Sequence, residues 1–170
     1  MKLGLLSSAF LALLSLVAVA APAKEPSGPA VFKAVLADVK GMRGSYFWPR
    51  AYVIDQLMLG QSIPDPTVTL PDGNFLISGC RRHSCDEKSA VIVTPEPKML
   101  AAGLINFPCR PDHSIPQGHS IHSPETCDID HPILTIFVKK KNNKPEFTQV
   151  LRDWAEREAK VQAFETRIIP

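Results

Sequence analysis

Residues 67–94 read TVTLPDGNFLISGCRRHSCDEKSAVIVT. Thr67–Leu70 is short and β-branched, and Pro71-Asp72-Gly73-Asn74 is a turn signal. Phe75–Ser78 is the partner strand, and Ala90–Thr94 is a further strand rich in branched residues. Between them stands Cys80-Arg81-Arg82-His83-Ser84-Cys85, two cysteines bracketing a single histidine. A Cys80–Cys85 disulfide closes a small ring at a hairpin tip and holds an imidazole toward solvent. Such a tip does no chemistry alone, but it is shaped to enter another protein's cleft. It reads as a plug.

Outward from this stretch the pattern alternates between helix and strand without βαβ order. Val31, Val35 and Val39, with Phe32 and Leu36 beside them, have helical spacing over Val31–Lys40. Pro49 introduces a second helix, Arg50–Leu59, which Gly60 ends. Lys98–Phe107 reads as a strand, although its Met-Leu-Ala-Ala run also suits a helix. Residues 108–132 hold five prolines, two cysteines and four of the five histidines without periodicity, the pattern of a long tied loop. Ile133–Val138 is the clearest strand, and Lys139–Lys144 is a solvated turn. Phe147–Phe164 reads as a closing amphipathic helix, with Phe147, Val150, Leu151, Trp154, Val161 and Phe164 on one stripe. The expectation is an α+β domain: a mainly antiparallel five-stranded sheet flanked by helices, with a disulfide-closed protruding loop.

The N-terminus sets the compartment. Lys2 precedes an apolar run from Leu3 to Ala20, and Ala18–Ala23 offers small-residue cleavage sites after Ala20 or Ala23. Residues 1–23 therefore read as a secretory signal peptide, in preference to a membrane anchor, and residues 24–30 as a flexible leader. Residues 31–170 form a single domain, exported to the periplasm, with no membrane segment in the mature form. Cleavage leaves roughly 150 residues, the size of one domain with its own core. It removes only Lys2, so 19 basic residues become 18 against 17 acidic. That near-neutral balance argues against nucleic acid or an anionic membrane as partner. Four cysteines in an oxidising compartment imply two disulfides, with three connectivities open. The local solution is Cys80–Cys85 with Cys109–Cys127.

No P-loop, GxGxxG, HExxH, GxSxG or thioredoxin-type CxxC occurs, so no catalytic residue is assigned. A pre-ordered loop loses less entropy on binding, and His83 both donates and accepts near neutral pH. Beside carboxylates it gains a proton. A cleft with two functional carboxylates is what a glycoside hydrolase presents.

The order Thr67–Leu70, turn, Phe75–Ser78, Cys80-x-x-His83-x-Cys85 and strand 90–94 resembles the Ivy family, periplasmic inhibitors of vertebrate lysozyme. The family's loop looks like Cys-Lys-Pro-His-Asp-Cys; here Arg81, Arg82 and Ser84 stand in place of Lys, Pro and Asp. The resemblance implies an antiparallel sheet flanked by helices, a loop disulfide, and a protein often found as a homodimer. It also implies a histidine, here His83, that enters the lysozyme cleft to meet the catalytic Glu and Asp. The partner is then a lysozyme or related muramidase, and no cofactor is needed. Arg81 and Arg82 offer auxiliary contacts.

Three alternatives accompany this reading. One is a diverged, non-inhibitory paralogue, or a regulator of another peptidoglycan-cleaving enzyme such as a lytic transglycosylase. Another is a zinc site drawn from Cys109, His113, His119, His122, Cys127 and His131, although the local disulfide pairing assigns no metal. The third is a redox role for Cys80 and Cys85, whose basic neighbours lower a thiol's pKa. The Tyr46-Phe47-Trp48 cluster reads as core packing or as an interface patch.

Overall fold

Both faces of the central sheet are covered, and this explains why its strands read as continuous apolar runs. A computed structural model describes residues 24–111, 125–128 and 130–170, with side chains left out at 109–111 and 125–127. In chain order the elements begin with α1 (Gly28–Val39), β1 (Arg43–Gly44), β2 (Ala51–Tyr52), α2 (Val53–Leu59), β3 (Ile63–Pro64) and β4 (Val68–Thr69). Next come β5 (Phe75–Arg81), β6 (Ser84–Val93), β7 (Met99–Asn106), β8 (Cys109–Pro111) and β9 (Glu125–Cys127). The chain closes with β10 (Ile133–Lys139), a 3-10 turn at Lys140–Asn142, α3 (Pro145–Ala159) and β11 (Ala163–Ile169).

Among the described residues the main sheet has seven strands in the order β11-β10-β7-β6-β5-β3, with β4 also on β5. Alternate residues of one strand point to opposite faces. Thus Val91 and Val93 of β6 meet Val31, Val35 and Val39 of α1 and Leu57 of α2. Ala90 and Ile92 meet Leu151 and Trp154 of α3 on the other side. Trp154 is fully buried, as its place on the stripe implied. The result is a mixed α and β domain in three layers, α1 and α2, sheet, α3.

Several expectations are corrected. The sheet has seven strands where five were expected, and β11 runs parallel to β10, from Ile133↔Ala163 to Lys139↔Ile169. The closing helix stops at Ala159, not Phe164, because Lys160 adopts a left-handed conformation (φ 52°, ψ 33°) that ends a helix. Val161 stays buried, whereas Phe164 is 47% exposed on β11. α2 begins at Val53, since Arg50 has φ 53° and Ala51–Tyr52 pair with Arg43–Gly44 instead. α1 starts at Gly28, with Pro29 in its first turn. Residues 108–132 contain the β8–β9 ribbon, and Lys98–Phe107 is a strand, β7, as read.

Gly60 ends α2 as expected, but in a right-handed conformation (φ −64°). A side chain there would put its Cβ 2.8 Å from the Ser89 Cβ. Glycine is required by the approach of helix to strand. Ser89 uses that closeness: its hydroxyl donates to the Leu57 carbonyl at 2.6 Å and its N–H to the Gly60 carbonyl at 3.2 Å.

Candidate functional site: the Cys80–Cys85 hairpin tip

β5 and β6 form one antiparallel ladder running from Phe75↔Val93 to Cys80↔Lys88. The register then shifts, and Arg81 pairs with Ser84 across a turn made by Arg82 and His83. Cys85, Asp86 and Glu87 thus bulge opposite the Cys80–Arg81 step, and a bulge of this kind re-aims the strand end. His83 has φ 67°, a backbone region uncommon for a residue with a side chain. A positive φ at the second central residue matches a type II turn, where glycine or asparagine is usual. The tip is therefore bent at the histidine itself.

Three fastenings hold it. Cys80 and Cys85 are joined by a disulfide, with Cα atoms 4.8 Å apart. Ser62 accepts the Arg82 N–H at 2.8 Å and donates to the Cys80 carbonyl at 3.4 Å, tying the turn to the segment before β3. Arg81 forms an ion pair with Glu87, and its guanidinium carbon lies 4.8 Å from the centroid of the Trp48 ring. Gly79 lets β3 approach β5, because a Cβ there would lie 2.5 Å from the Ile63 carbonyl oxygen.

Trp48 is placed by Gln56, a fully buried polar side chain on α2. Its carbonyl oxygen accepts the N–H groups of Tyr46, Phe47 and Trp48 at 3.0, 2.7 and 3.3 Å. Its amide donates to the carbonyls of Gly44 and Ala51 at 3.0 and 3.2 Å. One carboxamide thus folds the whole 44–52 loop. Of the aromatic cluster, Phe47 is core, Tyr46 packs edge-on against Phe137 at 5.6 Å, and Trp48 is 42% exposed.

The structure brings the six tip residues together but gives them unequal roles. His83, Arg82 and Cys85 are exposed, and Cys80 is buried. Among the described residues no hydrogen bond or ion pair engages the His83 ring or the Arg82 guanidinium. Arg81 turns back onto the protein. Ser62, Gln56 and Glu87 carry no motif, and reading the sequence did not single them out; Trp48 stood out as part of an aromatic cluster, but not as a partner of the tip. Gln56 offered one signal, a polar side chain between the apolar positions Val53, Ile54 and Leu57 of a helix.

At the second cysteine pair, the backbone register sets Cys109 directly opposite Cys127. The Cys109–Cys127 bridge itself depends on side chains outside the described residues, as do His113, His119 and His122 of the zinc alternative. Among the described residues no three His, Cys, Asp or Glu side chains cluster around a metal-sized site. His131 hydrogen-bonds Asp128 at 2.9 Å, which raises the imidazole's pKa and lowers the carboxyl's. The expected signal peptide, residues 1–23, lies outside the described residues. Among those described, no helix is long and apolar enough to cross a membrane.

Comparison with protein families, curated proteins and solved structures finds no match.

Proposed function

We propose that the protein is a non-enzymatic, periplasmic inhibitor of c-type lysozyme that inserts the Cys80–Cys85 tip into the active-site cleft. The observation that carries this reading is the exposed His83 ring on a disulfide-closed turn fastened to its own scaffold. A tip that is already ordered avoids most of the loop-ordering cost of binding. Carboxylates of a retaining glycosidase stand about 5–5.5 Å apart. An imidazole between them is protonated by their charge, and its two ring N–H groups can then serve one carboxylate each.

Of the two arginines, Arg82 is the one available to a partner. Its backbone N–H is held by Ser62 while its side chain is exposed, so it reaches the rim of the cleft. Arg81 serves the loop from within, through Glu87 and Trp48.

The test is inhibition of a c-type lysozyme by the oxidised mature protein, with His83→Ala alongside. The variant is expected to lose about 2 kcal/mol or more of binding energy, as a central hot spot does. Equal inhibition by both proteins overturns the mechanism. No inhibition by either overturns the target and turns attention to other peptidoglycan-cleaving enzymes.

A further inference from the structure

The groove between α3 and the outer strand β11 holds a cation that nothing neutralises. Alternate residues of a strand share a face, so Phe164, Thr166 and Ile168 turn toward α3, while Ile169 joins the core under α1 and α2. α3 packs over β6, β7 and β10 and leaves those three side chains exposed. Thr148 and Arg152, one helical turn apart, stand on the opposite wall.

Arg152 divides the groove in two. On its Phe164 side lies a cavity of about 350 Å³, with Asp153 and Glu156 in the lining. On its Ile168 side lies one of about 500 Å³, within the usual volume of a ligand site. There Arg152 is the one charged lining residue, beside Asn143, Thr148, Gln149 and Thr166. Its guanidinium carbon lies 3.4 Å from the centroid of the Phe164 ring, and its Nε is buried without a hydrogen-bond partner. Among the described residues no carboxylate pairs with it, and Asp153 instead accepts from the Gln149 amide at 2.6 Å.

Stacking fixes the plane of a guanidinium and leaves its in-plane donors free. A half-buried fork of that kind, with no counter-charge, matches a carboxylate. A phosphate carries up to about two charges and three acceptor oxygens, more than one arginine can serve. The neutral groups around Arg152 suit a peptide unit. The Gln149 carbonyl oxygen can accept an N–H, and the hydroxyls of Thr148 and Thr166 can donate or accept. Ile168 offers an apolar wall to a side chain. Carboxylate, peptide group and side chain within reach of one another are the parts of a chain's last residue.

We infer that the larger cavity binds the C-terminal residue of a peptide, with its free carboxylate held by Arg152. Capture of a terminal carboxylate is a recurring mode of peptide recognition. β11 has no strand beyond it among the described residues, so the preceding residues of the peptide run along its open edge. β10 and β7 separate this groove from the β5–β6 tip, so an occupied cavity leaves His83 free. The inference needs nothing from the lysozyme reading.

Calorimetric titration of the mature, oxidised chain with acetyl-Ala-Ala-Val, as free acid and as C-terminal amide, tests it. The acid is expected to bind, and the amide at least about tenfold more weakly, because the charge-assisted hydrogen bonds are lost. Arg152→Gln is expected to bring the acid level with the amide. Ile168→Glu, at an exposed position of the cavity wall, sets a like charge beside the carboxylate and is expected to weaken the acid as well. Circular dichroism establishes that each variant is folded, and Ile168→Glu decides alone if Arg152→Gln is not. Amide NMR spectra should place the acid's shifts at Thr148, Thr166 and Ile168 and leave the tip unmoved. Absence of binding by the wild type overturns the inference. So does equal affinity for acid and amide, or a folded variant that binds the acid as tightly as the wild type.

Discussion

Arg81 stacks on Trp48, with the guanidinium carbon 4.8 Å from the ring centroid, and so fastens the hairpin tip to the loop before α2. Trp48→Ala removes this contact. At a partly exposed site such a contact contributes about 0.5–1 kcal/mol. Chemical denaturation is expected to show a loss of that size, with the disulfide still formed. An unchanged midpoint would mean that the stacking adds nothing to the ion pair with Glu87.

Gln56 stands one step behind Trp48. In Gln56→Leu three backbone N–H groups lose their common acceptor in a buried place, each with a desolvation penalty of about 1–3 kcal/mol. Urea titration is expected to show at least about 3 kcal/mol of destabilisation. A loss under about 1 kcal/mol would show that water replaces the side chain easily.

His83 pays for its position in backbone strain, since left-handed geometry costs a side-chain-bearing residue about 1–2 kcal/mol. His83→Gly is therefore expected to raise thermal stability while abolishing lysozyme inhibition. Two properties moving in opposite directions separate a functional side chain from a structural one. If the glycine variant melts lower, the ring is supporting the fold.

Cys80→Ser with Cys85→Ser opens a ring whose ends are five residues apart. The chain-entropy model assigns so small a ring about 2 kcal/mol. The ladder from Phe75↔Val93 to Cys80↔Lys88 does not need the bridge, so circular dichroism should be unchanged while inhibition weakens. Full inhibition by the reduced form would separate function from loop closure.

The Asp128–His131 contact has a defined pH window. His131 is raised, chiefly by its hydrogen bond to Asp128, so its contribution is full below the unfolded-state pKa and fades as pH rises through the folded one. Asp128 is lowered by the same bond, so its contribution is present above the unfolded-state pKa and fades as pH falls through the folded one. The tie is strongest between the two unfolded-state values, and fades outside them as each group passes through its folded one. NMR titration should give a His131 imidazole pKa above the ordinary histidine value, returning toward it in Asp128→Asn. An unshifted ring in the parent protein would rule the contact out in solution.

Much of this architecture was readable because local and global signals agree. The Pro71–Asn74 turn, the branched run Ile133–Val138 and the helical valines of α1 each take the form their spacing indicates. β11 was missed because Val161 and Phe164 continue the helical spacing of Trp154, while the stop is a left-handed lysine, Lys160, with no glycine to mark it. At the tip, the cysteine spacing and the histidine were visible. The ties to Ser62, Trp48 and Glu87 were not, because they depend on how β3, α2 and the bulge after Ser84 come together in space.

The two sulfurs of the tip differ in access, Cys80 being 3% exposed and Cys85 open to solvent. An incoming thiolate can reach only the Cys85 sulfur, and its attack must expel Cys80 as the leaving group. A thiolate released at the buried Cys80 forms away from water, which is costly for a charged group and slows exchange. The ring is thus guarded kinetically by the placement of one atom: it opens slowly even where a reductant is plentiful.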